Sequence, residues 1–107
     1  MKAETPAALQ LTRTEVRTVR SIVHAVLGAD ARVRVFGSRA TGRARPFSDL
    51  DLLFVQPACL SWQQRADLRD RFEASDLPFR VDLVDGEALA PGMAQRVVAE
   101  SVWLAES

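Results

Sequence analysis

Asp49 and Asp51 stand one residue apart, with ten residues between Ser38 of the pair Gly37-Ser38 and Asp49. In an extended strand residues i and i+2 face the same way. The run Asp49-Leu50-Asp51-Leu52-Leu53-Phe54-Val55 reads as such a strand. Both carboxylates then share one face at its start, and Leu50 and Leu52 point to the other. Two adjacent carboxylates repel each other unless a cation lies between them. Hard cations such as Mg²⁺ take oxygen ligands, commonly one or two carboxylates together with substrate phosphates. Gly37-Ser38 offers a place for those phosphates. Gly37 has no Cβ, so its backbone can approach a phosphate closely. Ser38 can donate its hydroxyl and its N–H, and a short helix starting there would add a partial positive charge. Arg39 could add a forked pair of donors.

A third carboxylate belongs with these two. Phe79-Arg80-Val81-Asp82-Leu83-Val84 alternates with period two and reads as another strand. Val81 and Leu83 are expected to face the core, which turns Asp82 to the opposite side. With the two strands adjacent, Asp49, Asp51 and Asp82 would form a three-carboxylate cluster able to hold two Mg²⁺ about 3.5–4 Å apart. One ion would lower the pKa of an attacking hydroxyl, and the other would neutralise a triphosphate and its leaving pyrophosphate. Positioning and charge neutralisation are most of what phosphoryl transfer asks of a protein.

The elements that must carry these residues are legible on either side. Residues 1–11 are expected to be loosely ordered. Thr12 and Glu15 make a capping box, and Val16, Val19, Val23, Val26 and Leu27 recur at helical spacing up to Gly28. Val33 to Phe36 is the first expected strand. Residues 39–48 form an arginine-rich connection. After the strand 49–55, Pro57 is a stop. Ser61 and Gln64 repeat the capping box and open a helix to about Ser75, with Trp62, Leu68 and Phe72 as its expected buried residues. A last helix follows Pro91-Gly92, with Met93, Val97, Val98, Val102 and Leu104 as its apolar positions.

At 107 residues the chain makes one domain, 1–107. Its formal net charge of zero disfavours long DNA or RNA as a substrate, since polynucleotide binders carry a basic excess. One cysteine, Cys59, allows no intrachain disulfide and no cysteine-rich metal site. No signal-peptide stretch and no run near the ~18 apolar residues of a membrane span is present. A reducing cytoplasmic setting without membrane association is the expectation.

The stretch from Gly37 to Leu52 resembles the signature of the nucleotidyltransferase superfamily that includes DNA polymerase β. Gly-Ser, ten residues, then Asp-x-Asp is matched without gaps. Small Ala40 and Gly42, and Ser48 ahead of Asp49, are similar to the minimal nucleotidyltransferase proteins of bacteria and archaea, and Asp82 falls where their third carboxylate strand belongs. The resemblance implies an α/β (α+β) fold: a small mixed sheet of three or more strands, with helices packed mainly on one face. It implies Mg²⁺ as cofactor and ATP as substrate. Asp49 and Asp51 would bind both metals. Asp82 would complete one metal site and help deprotonate the acceptor. Gly37 and Ser38 would hold the β- and γ-phosphates. It also implies an antitoxin paired with a helical HEPN toxin, silenced by transfer of AMP to one of its tyrosines.

Two other functions compete. A non-catalytic antitoxin could neutralise its partner by contact alone. The smallness of the chain motivates this, because an acceptor site would need a partner or a second copy of the chain to complete it. A glycosyltransferase also uses Asp-x-Asp, but its domains need more chain, and it leaves Gly37-Ser38 unexplained. Arg43 and Arg45 read as a solvated loop, His24 as a helix-surface residue without a second ligand, and Cys59 as packing. Trp62 and Trp103 read as core or interface anchors.

Overall fold

Alternation along the strands decides which side of the sheet becomes the core. The computed structural model describes residues 9–104. In chain order these are α1 (Arg13–Leu27), β1 (Arg32–Phe36), α2 (Ser38–Thr41), β2 (Leu50–Gln56), α3 (Trp62–Ala74), β3 (Val81–Asp85), a 3-10 turn (Gly86–Ala88), α4 (Pro91–Ala99) and β4 (Val102–Trp103). The sheet order is β3-β2-β1-β4. β1 is antiparallel to β2 and β4, and β2 is parallel to β3. The sheet is therefore mixed, as expected, with a fourth strand.

Register carries one apolar row across it: Val35 lies opposite Leu52, and Leu52 opposite Leu83. Val33, Val35, Leu50, Leu52 and Phe54 share one buried cluster with Val16, Val19 and Val23 of α1 and Leu68 and Phe72 of α3. Helices α1 and α3 thus cover that face. Burying each such aliphatic side chain contributes about 1.5–3 kcal/mol. The opposite face receives Phe36, Asp51 and Asp82, which are register partners in a row.

Both long helices start as their capping boxes require. Thr12 accepts from the Glu15 N–H at 3.0 Å and Glu15 accepts from the Thr12 N–H at 2.9 Å; Ser61 and Gln64 do the same at 3.0 and 2.8 Å. Each cap is worth about 1 kcal/mol. No helix among the described residues is long and apolar enough to cross a membrane.

Three expectations are corrected. Residues 9–11 are ordered: Leu9 and Leu11 are buried, and the Gln10 N–H donates to Arg39 O at 2.8 Å. Residues 1–8 lie outside the described residues. Leu11 precedes the cap Thr12 and Val16 is the fourth helical residue, the spacing of a hydrophobic staple, and both are buried. Trp62 is 84% exposed rather than buried. It lies six residues before Leu68, about 120° from the buried stripe on a 3.6-residue helix. Val102 is strand, not helix. α4 ends at Ala99, and Val102 pairs with Val35 while the Leu104 N–H donates to Val33 O at 3.0 Å.

Candidate active site

Parallel pairing of β2 with β3 puts Asp51 directly opposite Asp82. Side chains of such partners point to the same face, here the one that α1 and α3 leave free. The Asp51 carboxyl is pushed up from 3.8 to about 6 by burial, and then by the charges of Asp82 and Asp49 and a hydrogen-bonding contact with Asp82. Asp49 therefore lies close enough to act on Asp51, but it precedes the first ladder residue of β2 and is exposed. The expected ready-made cluster of three is not assembled. Among the described residues no group of three His, Cys, Asp or Glu side chains is placed to hold a metal ion. The ladder fixes Asp51 and Asp82, whereas Asp49 is held only by the loop before it.

Gly37 ends β1 beside Asp51. Its φ of 78° lies in the left-handed region, and a Cβ built on it would collide with Asp51 Oδ2. Glycine is required there twice, by backbone conformation and by space. One helical turn, Ser38–Thr41, follows, with the Ala40 and Thr41 N–H groups both bonded to Gly37 O at 3.0 and 3.2 Å. The Ser38 hydroxyl makes no hydrogen bond among the described residues and is free to donate. Oxygen-only donors, a repelling carboxylate pair and a glycine-lined space beside them fit a hard divalent cation and a phosphate.

Arg39 does not join them. It is 5% exposed, and its guanidinium donates to Ser48 O (3.1 Å), Gln10 O (2.7 Å), Arg45 O (3.4 Å) and Pro46 O (3.1 Å). Its planar group also lies 4.0 Å over the Phe79 ring. With four N–H groups committed, Arg39 ties down the loop that leads to Asp49 instead of offering a fork to phosphate. Gln10 clamps the same loop, accepting from the Ala44 N–H at 2.6 Å, and Ser48 Oγ accepts from the Arg45 N–H at 2.8 Å.

One positioning residue went unread in the sequence. Arg65 of α3 pairs with Asp85 at 2.7 Å and donates to Leu83 O at 2.9 Å, fixing α3 against the end of β3. Asp85 also accepts from the Leu60 N–H at 3.1 Å. A salt bridge twenty residues long in sequence leaves no local pattern.

A parallel pair of aspartate-bearing strands beside a Gly-Ser turn is the arrangement of a nucleotidyl-transfer site, and comparison with known proteins agrees. Residues 31–107 match the family model "Polymerase beta, Nucleotidyltransferase", and the chain belongs to that family. It is a nucleotidyltransferase. It is 39% identical over 79 residues to "Probable protein adenylyltransferase MntA" of Haemophilus influenzae, covering 74% of this chain and 68% of that protein. A solved structure of a minimal nucleotidyltransferase superposes with a TM-score of 0.66 at 36% identity, covering 84% of this chain and 89% of that one.

Proposed function

We propose that this protein transfers AMP from ATP to a hydroxyl of a partner protein in the cytoplasm. The acceptor is a tyrosine of a HEPN toxin, and the modification makes the chain an antitoxin. The observation that carries the reading is the register pair Asp51–Asp82 beside Gly37. The relative named protein adenylyltransferase supports the acceptor class.

Asp51 and Asp82, joined by Asp49 once its loop brings that carboxylate in, would hold Mg²⁺, and two such ions would supply charge neutralisation for the triphosphate and acidity for the attacking hydroxyl. Gly37 lets the β- and γ-phosphates approach the backbone, and Ser38 donates its hydroxyl and N–H to them. Asp51 fixes the α-phosphate side of the site. Asp82 accepts the proton of the acceptor hydroxyl. The loop 43–48, pinned by Arg39 and Gln10, carries Asp49 into reach.

Incubation with ATP labelled at the α-phosphate, Mg²⁺ and a HEPN-family protein tests this. Label should appear on the partner's tyrosine, and Asp51→Asn should abolish it. Label persisting with Asp51→Asn counts against the mechanism. Neutralisation that survives both Asp49→Asn and Asp51→Asn puts the antitoxin effect on contact alone.

A further inference from the structure

β3 is an edge strand, and its outer side is open where it passes the carboxylates. In a parallel ladder a strand's successive residues turn their backbone groups to alternate sides. The bond from the Leu50 N–H to Arg80 O, 2.8 Å, sets the phase. Arg80, Asp82 and Val84 address β2, so Val81 and Leu83 turn their backbone groups outward. Arg65 closes that edge further along by taking Leu83 O. Among the described residues, what stays open is the N–H and C=O of Val81 and the N–H of Leu83, bracketing Asp82. Beside them runs a groove of about 690 Å³ that reaches Asp51 and Asp82, its walls combining Phe72, Leu77 and Phe79 with the charged Arg69, Glu73 and Arg80.

Across the sheet the order is Gly37 at the end of β1, Asp51 on β2, Asp82 on β3, then this groove. In-line displacement sets the attacking oxygen and the leaving pyrophosphate on opposite sides of the α-phosphorus. With the pyrophosphate toward Gly37 and Ser38, attack comes from the β3 side.

Resting on the transferase reading above, we propose that the acceptor enters as an extended polypeptide segment that adds to β3 at Val81–Leu83 and presents a hydroxyl side chain opposite Asp82. A residue paired across from Asp82 projects to the face of Asp82. Its two neighbours project to the helix face, beside Val81 and Leu83 and toward Phe72 and Leu77. The segment recognised is apolar–hydroxyl–apolar. Arg65 ends the added strand and sets its register, because a slip of one residue would turn the hydroxyl to the wrong face. Main-chain bonds give the affinity and the alternate side chains the selectivity. In the reaction the acceptor oxygen bonds to the α-phosphorus of the nucleoside triphosphate as the bond from that phosphorus to the bridging oxygen breaks. Pyrophosphate leaves with that electron pair. The hydroxyl proton passes to Asp82 and then to solvent, leaving an AMP ester on the peptide.

The test is a titration of the ¹⁵N-labelled full chain with a short capped peptide holding tyrosine between two valines, without ATP or metal. The amides of Val81 and Leu83 should shift and exchange more slowly. Methylating the peptide nitrogen that faces Val81 O should weaken binding roughly tenfold. Val81→Pro should do the same, since it removes an outward N–H at the first residue of an edge strand, where proline is tolerated. Peptide bound at this edge but never labelled with AMP from ATP and Mg²⁺ overturns the transferase reading and the acceptor role with it. Label on a peptide that leaves Val81 and Leu83 unperturbed, or on the 3′ hydroxyl of an RNA oligonucleotide instead, overturns edge docking while the transferase reading stands.

Discussion

Asp51 and Asp82 are register partners on adjacent parallel strands, so two acids share one face, and among the described residues no basic side chain is bonded to either. The arrangement costs stability. The Asp51 carboxyl titrates at about 6 in the fold and at 3.8 as a free group, because burial and the two neighbouring acids disfavour its charge. A raised acid binds its proton more tightly folded than unfolded, so its contribution is fully present below pH 3.8 and is lost as pH rises through about 6. In metal-free buffer, Asp51→Asn should therefore melt increasingly above wild type as pH goes from 4 to 7. Mg²⁺ at pH 7.5 should raise the wild-type melting temperature and leave Asp51→Asn nearly unmoved. Parallel melting curves across that range would remove the account of Asp51 as a strained ligand.

Gly37→Ala places a methyl group where Asp51 Oδ2 lies and imposes a φ of 78° on a residue with a Cβ. With ψ at −155° the backbone term alone costs about 1–3 kcal/mol. Displacing Asp51 should cost far more in transfer than in folding. Expected is a melting temperature lowered by several degrees with nucleotidyl transfer lost by about a hundredfold or more. Isothermal titration with ATP and Mg²⁺ should show weakened binding, and unchanged affinity would show that Gly37 does not shape the phosphate site.

Arg39 behaves as an internal strut. Removing it with Arg39→Ala takes this donor from the carbonyls of Gln10, Arg45, Pro46 and Ser48, of which Arg45 O keeps the Ser48 N–H at 3.0 Å. Losing the bonds of a buried charged donor to neutral carbonyls costs about 1.5–3 kcal/mol. Arg39→Lys should recover only part of it, since an ammonium cannot span the same fork. Chemical denaturation measures this directly. A variant of full stability with selectively weakened ATP binding would return Arg39 to the phosphate.

Much of this was legible because it is local. Capping boxes announce themselves within four residues, and Asp51 and Asp82 can be phased from strand alternation alone. Gly-Ser directly follows β1 and Asp-x-Asp opens β2, at a fixed distance along the chain, so one linear pattern reports a three-dimensional site. The errors fall where long-range contact decides. Arg39 looks like any loop arginine until Gln10 closes over the same segment from 29 residues away. Val102 continues an apolar series suited to a helix, but the open edge of β1 offers it ladder bonds. Asp49 shares a face with Asp51 only if the strand begins at 49, and the ladder begins at Leu50.

Trp62 separates size from burial. It is the largest apolar residue of α3, and composition alone assigns it to the core. Leu68 and Phe72 sit four apart on one helix face and are buried at 0% and 7% exposure, while Trp62 lies on a different face at 84%. Trp62→Ala removes no core volume, and surface changes of this kind stay within about 0.5 kcal/mol. Leu68→Ala opens a cavity between α3 and the sheet and should cost about 2–5 kcal/mol. Urea denaturation of the two variants should show the small residue outweighing the large one. If Trp62→Ala instead matches Leu68→Ala, the first turn of α3 must be packed inward, and the helix face that positions Arg65 against Asp85 would be rotated with it.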